Sequence, residues 1–194
     1  GAADGVIDNC YFYSHSGYCI KFTDGIQSTM TNSRIYGLVT GTGIVFNGGS
    51  AQRIVNNSFG TSQTALSFSS ASNGQLISNN NFENNLIGIE VPKIGINAIS
   101  IIGNYFETNY DSPISIGRIG NSTISSVTII GNEIAQANDG PVFLSGIGKL
   151  SVIGNRFGPK VFYGSDTTSS CLMGNTYSSG ATHQSSKTFD LDSL

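Results

Sequence analysis

A six-residue pattern returns eight times along this chain. Its first position is apolar, its third is Asn or Gly, and its sixth is Phe, Ile or Tyr. The copies are Ile7 to Phe12, Met30 to Ile35, Ile54 to Phe59, Ile77 to Phe82, Ile101 to Phe106, Ile129 to Ile134, Val152 to Phe157 and Leu172 to Tyr177. The third positions are Asn9, Asn32, Asn56, Asn79, Gly103, Gly131, Gly154 and Gly174. Asn and Gly enter the left-handed backbone region at the least cost. A position limited to those two is expected to be a fixed turn with positive φ. The turns follow one another at steps of 23, 24, 23, 24, 28, 23 and 20 residues. A period of that length, with one turn and a few short strands per copy, predicts a solenoid.

The residues around the turn select a β solenoid. In the last six copies the residue after it is Asn57, Asn80, Asn104, Asn132, Asn155 and Asn175; the first two have Cys10 and Ser33. Two residues on comes the apolar ring or Ile, which shares the Asn's parity, so on a strand both face the core. Stacked asparagines can then hydrogen-bond along the axis as a ladder, which offsets the desolvation of a buried amide. A third strand follows in most copies: Ile20 to Phe22, Ile44 to Phe46, Leu66 to Phe68, Ile89 to Val91, Ile114 to Ile116 and Val142 to Leu144. A small or kinking residue precedes each (Cys19, Gly43, Ala65, Gly88, Pro113, Pro141). The prediction is an all-β parallel β-helix of about eight coils, each of three short strands, with an internal Asn ladder. At about 4.8 Å per coil the rod would be roughly 38 Å long. No stretch has helical periodicity.

Composition narrows the class. Only 11% of the 194 residues are charged and 25 are Gly, yet 38% are hydrophobic at regular intervals, which argues against disorder. A net charge of −3 gives no basis for a nucleic-acid partner. No apolar run would span a membrane, and none reads as a signal peptide. Cys10, Cys19 and Cys171 form no disulfide framework and read as core thiols, which fits assembly in a reducing cytoplasm. His15 and His183 lack spaced partners, so no metal or cofactor is implied. The first coil begins without a capping element, so the chain reads as a piece of a longer protein, with residues 1–177 as β-helix and 178–194 as a tail that caps the last coil or contacts a partner.

The repeated Ile-x-Gly-Asn-x-Phe, the asparagine ladder and the charge-poor Ser, Thr, Gly and Asn surface resemble the right-handed parallel β-helix of pectate-lyase-like proteins. Among these the chain is most similar in character to bacteriophage tailspikes and receptor-binding appendages. The resemblance covers about residues 5 to 177. It implies a homotrimeric virion protein, assembled in the host cytoplasm, that binds and often cleaves a bacterial surface polysaccharide. It carries no chemistry by itself, because the same coil occurs in lyases, hydrolases, epimerases and adhesins. The pectate-lyase calcium and arginine motifs cannot be placed here. Outward Val45, Phe143 and Phe162 would be contacts between copies.

Glycoside cleavage needs two carboxyls facing one groove. Glu83 follows Phe82 and Glu107 follows Phe106, so the repeat places them together on adjacent coils. Asp111 and Asp139 each lie three residues before a third strand, a second matched pair. All four are expected in the arc between the second and third strands of coils four to six, as catalytic candidates whose like charges raise one another's pKa. Asn84, Asn109 and Tyr110 are the candidate substrate-binding neighbours, with Asn85 beside them. The plainer reading makes these acids solvated loop charges. Glu133, Arg156 and Tyr105 share an outward ladder, expected to be structural. Tyr11, Tyr13 and Tyr36 form either a sugar-stacking platform or a subunit contact. Three functions remain open: a tailspike-like domain that binds or depolymerises a glycan, a non-enzymatic shaft or adhesin exposed outside the cell, and a free bacterial lyase or epimerase.

Overall fold

The computed structural model describes residues 5–13, 16–37, 40–120, 122–135, 139–164 and 166–178, together with the backbone of 183–184 and 189–190. His15 lies outside the described residues, as do residues 1–4 at the start. The chain winds as a parallel β-solenoid of about seven turns. It has one nine-stranded and two eight-stranded sheets, in each of which strands from successive coils are neighbours. All the strand pairs are parallel.

All eight turn residues have positive φ, from 50° at Asn32 to 63° at Gly103 and Gly174. The chain therefore makes the same corner at each hexapeptide, and the register holds. Met30, Ile54, Ile77, Ile101, Ile129, Val152 and Leu172 align as one inward column of the first sheet. In the second sheet Phe59, Phe82 and Phe106 stack with centroids 5.0 and 4.8 Å apart. In the third, Phe22, Phe46 and Phe68 do the same. A buried parallel sheet needs such continuous apolar columns. The small residue before the third strand has a steric reason. A Cβ on Gly43 would stand 2.6 Å from the Ala65 carbonyl oxygen, and one on Gly88 would stand 2.5 Å from that of Pro113.

The asparagine ladder runs from Asn57 to Asn175. Each Oδ1 accepts the backbone N–H and the Nδ2 of the preceding Asn: Asn80 donates to Asn104 at 2.9 and 3.0 Å, and Asn132 to Asn155 at 2.8 and 2.9 Å. The other Nδ2 hydrogen reaches a carbonyl of the coil before, as from Asn104 to Ile77 at 3.0 Å. Donors and acceptors are thus matched inside an apolar core, which removes the cost of burying them. Ser33 continues the ladder, accepting from the Cys10 N–H at 3.0 Å and donating its own N–H to Asn57 at 2.9 Å.

The cysteines differ from the sequence expectation. All three are free; Cys10 and Cys171 are exposed and Cys19 is half-buried. Cys171 faces out because Leu172 takes the inward place on its strand. Cys10 holds the ladder position of the first coil, but no described coil covers it from below. Burial pushes the Cys19 thiol up.

A second, shorter ladder crosses the arc between the second and third sheets. Asn85 Oδ1 accepts from the Ser62 N–H at 3.1 Å, Asn85 Nδ2 donates to Asn109 Oδ1 at 3.1 Å, and the Asn109 N–H donates to Asp139 Oδ1 at 2.6 Å. The 28-residue repeat is absorbed in the nine-residue strand Ser112–Gly120, with a register shift opposite Val91 and Lys93. Lys93 then lies across coils to pair with Asp166 at 2.5 Å. The tail adds one short strand to the third sheet, at His183–Gln184, and one to the first, at Phe189–Asp190.

Candidate functional site

With the interior filled by apolar columns and the asparagine ladders, chemistry is left to the outward columns. On the second sheet one column reads Tyr11, Arg34, Ser58, Asn81, Tyr105, Glu133, Arg156 and Thr176. The next reads Tyr13, Tyr36, Gly60, Glu83 and Glu107. Tyr11 and Tyr13 are each 62% exposed. Their rings are 6.2 Å apart and inclined by only 9°, and Tyr11 lies 6.4 Å from Tyr36 at 19°. Gly60 makes room for the Tyr36 ring, which lies where a Cβ would be. The three rings form a stacked aromatic cluster on the first two coils. Beyond it a groove of about 560 Å³ crosses the coils, lined by Arg34, Ser58, Asn81 and Tyr105 on one side and the turn residues Asn32, Asn56 and Asn79 on the other. The groove escaped the sequence reading. Its asparagines had been explained by the turn, and no residue type distinguishes a turn that also borders a groove.

Glu83 and Glu107 are in register on adjacent strands, as the repeat predicted, although they end second-sheet strands and do not sit within the arc. Asn81 donates to Glu83 at 2.6 Å, and the Tyr105 hydroxyl donates to Glu107 at 3.0 Å. Burial, then the hydrogen bond to Glu107, push the Tyr105 phenol up. Arg156 pairs with Glu133 at 2.5 Å on the same face.

Asp111 and Asp139 are not a matched pair. Asp139 is 6% exposed, in register with Asn109 as the end of the short ladder. The long fifth repeat shifts the arc, so equal distance from a third strand no longer means equal position. Asn109 is fully buried in the same ladder and offers no side chain to a solvent-side ligand. Asn84 is exposed at φ 56°, a turn residue. Tyr110 is 63% exposed beside Asp111. The arc thus presents Tyr110 and Asp111 to solvent and uses Asn109 and Asp139 as internal props.

Around that corner, on the third sheet, the structure brings Asp111 to Arg118, which the sequence did not single out. Asp111 Oδ2 accepts from Arg118 Nη1 at 2.8 Å, and the guanidinium lies 4.7 Å from the centroid of Phe143. Phe143 stacks on Phe162 at 5.4 Å and 17°. The outward column here reads Val45, Ser67, Glu90, Ser115, Phe143 and Phe162. Glu90 is half-buried, and burial pushes its carboxyl up, against a hydrogen bond with Ser67 and the charge of Arg118. Glu90 was missed because its outward place in a regular strand looked like any solvated position. Among the described residues no three His, Cys, Asp or Glu side chains gather as a metal site would require.

Comparison with family models, curated proteins and solved structures finds no match. What the fold and these faces define is a parallel β-solenoid whose outer surface carries aromatic shelves, amide-lined grooves and paired carboxylates.

Proposed function

We propose that this chain is a tailspike-like β-helix that holds a bacterial surface polysaccharide along the outer face of its second sheet. The observation that carries the reading is the cluster of near-parallel rings Tyr11, Tyr13 and Tyr36, the first two exposed and the third half-buried, in line with the groove of Arg34, Ser58, Asn81 and Tyr105. Flat rings offer apolar faces to pyranose rings, and amides and hydroxyls at coil spacing offer hydrogen bonds to sugar hydroxyls. A polymer laid along the axis meets a new set of these groups about every 4.8 Å. Glu83 and Glu107 accept hydrogen bonds from the groove residues Asn81 and Tyr105, and as a carboxyl pair they are also candidates for cleaving the chain. Virion attachment and a homotrimeric assembly belong to the same reading. An apolar strip for contact between copies lies on the first sheet, where Ile102, Ile130, Ile153 and Met173 share one outward column.

The test is a panel of purified O-antigen and capsular polysaccharides titrated with the wild-type chain and with Tyr11→Ala/Tyr36→Ala. Retention of one polysaccharide by the wild type and its loss in the variant, at unchanged melting temperature, supports the reading. Equal retention by both moves the glycan off this face. A non-enzymatic shaft or adhesin is the second reading, favoured by the openness of the face: binding without release of reducing ends would select it.

A further inference from the structure

The groove beside the tyrosine cluster carries a single charge. Among the described residues that line it, Arg34 is the one ion, and the rest are asparagines, serines, Gly103 and Tyr105. Arg34 is exposed, and no carboxylate, ring or hydrogen-bond acceptor among the described residues engages its guanidinium. Arg118 and Arg156, by contrast, are paired with Asp111 and Glu133. Asp8, which stands beside Asn32 at that end of the groove, already accepts from the Thr31 hydroxyl at 2.7 Å and Asn32 Nδ2 at 2.9 Å. An unpaired guanidinium attracts anions, and its planar fork of donors matches a carboxylate. Its place also suits the aromatic cluster. Arg34 is the register neighbour of Tyr11 on one side and Ser58 on the other, about 4.8 Å of coil spacing from each. A pyranose stacked on Tyr11 therefore carries its substituents toward the guanidinium. Across the groove the exposed amides of Asn56 and Asn79 have no hydrogen-bond partner among the described residues. Farther along this face the sign of the charge changes. Glu133 follows Tyr105 in the same column, and Glu83 and Glu107 stand in the next. A polymer with an acid on every sugar would set carboxylates against these three, which like-charge repulsion disfavours.

We infer that the glycan is an acidic heteropolysaccharide, with one sugar carboxylate seated on Arg34 and neutral sugars on either side of it. This rests on the reading that the chain binds a glycan along its second sheet, and it names the class of polymer. The carboxylate accepts two N–H bonds from the Arg34 fork. The Asn56 and Asn79 amides meet hydroxyls of the neighbouring sugars, and the stretch beside Glu83, Glu107 and Glu133 faces sugars without charge. Arg34 thereby sets which sugar lies on the tyrosines, and so the register of the polymer on the coils.

The experiment takes the polysaccharide retained in the panel above, the same polymer with its carboxyls reduced to alcohols, and a homopolymer of uronic acid. Each is titrated with the wild-type chain, Arg34→Gln and Arg34→Lys, and melting curves confirm that the variants are folded. The retained polymer should carry uronic acids spaced by neutral sugars. Arg34→Gln should hold it about tenfold more weakly, the lower end for hydrogen bonds to a charged group. The loss should shrink in about 1 M salt, where the screening length falls to about 3 Å, as a loss of packing would not. Arg34→Lys should fall between the two, since it keeps the charge and lacks the fork. Carboxyl reduction should weaken retention by the wild type and leave Arg34→Gln unaffected. A neutral retained polymer, equal affinity before and after reduction, undiminished retention by Arg34→Gln, or tighter retention of the homopolymer overturns the inference; each leaves the binding reading intact. A wild type that retains no member of the panel overturns both.

Discussion

Inside this solenoid a column keeps one kind of residue from coil to coil; outside, the residue changes at almost every step. The inner column of the second sheet is Phe12, Ile35, Phe59, Phe82, Phe106, Ile134, Phe157 and Tyr177, whereas the outer column one place before it is Tyr11, Arg34, Ser58, Asn81, Tyr105, Glu133, Arg156 and Thr176. Inward groups meet only copies of themselves, so an aromatic or an amide is satisfied by repetition. Outward groups meet solvent or a ligand, and nothing in the fold requires them to repeat. Stability should therefore reside in the repeated columns and function in the irregular ones. Substitutions on the two sides ought to separate cleanly.

The largest effect should come from cutting an inner stack. Phe82→Ala removes a fully buried ring held between Phe59 and Phe106 and should cost about 3–5 kcal/mol, seen as a lower denaturation midpoint. Next is the ladder. Asn104→Leu removes the acceptor of both the Asn80 N–H and the Asn80 Nδ2, and one of the two donors to Asn132 Oδ1, and should cost on the order of 1–3 kcal/mol. An unchanged midpoint in this variant would mean that the ladder is not what satisfies those amides.

The outer columns should behave differently. The Lys93–Asp166 pair is partly exposed and worth no more than about 1 kcal/mol. The Lys93 ammonium, with help from Ser145 and the Gly146 N–H, lowers the Asp166 carboxyl to about 2 from an ordinary 3.8. A depressed carboxyl stabilises the fold above its ordinary value, and that contribution is lost as pH falls from about 4 through 2. Asp166→Asn should thus lower the midpoint slightly at pH 7 and leave it unchanged near pH 2. Glu90 has the opposite sign. Its folded value lies above the ordinary 4.5, so its contribution is present below 4.5 and is lost as pH rises through the raised value. Glu90→Gln should leave stability unchanged or slightly raised at pH 7, with the difference vanishing in acid. A midpoint lowered at pH 7 would place Glu90 among the structural residues.

How much was legible in the sequence follows the same division. The hexapeptide exposed the turns, the first ladder and all three sheets, because a column that must repeat leaves a periodic trace. The short ladder left almost none: Ser62, Asn85, Asn109 and Asp139 change type along it and lie in the arc, where repeat lengths vary. That is why Asn109 and Asp139 looked like site residues when they are props. The register of Glu83 with Glu107 was readable because both follow the fixed ring residue. The meeting of Asp111 with Arg118 was not, since it depends on how the nine-residue strand Ser112–Gly120 folds its excess across the sheet. The cysteines were misjudged by parity, which at Cys171 turns on which of two adjacent apolar residues takes the inward place.

The claim that function lies on the irregular outer face is tested most directly by polysaccharide retention, measured by titration, for Tyr11→Ala/Tyr36→Ala beside the wild type. The expected result is loss of at least tenfold in affinity with a denaturation midpoint unchanged within error. Undiminished retention, or loss that occurs only because the midpoint falls, would contradict the account.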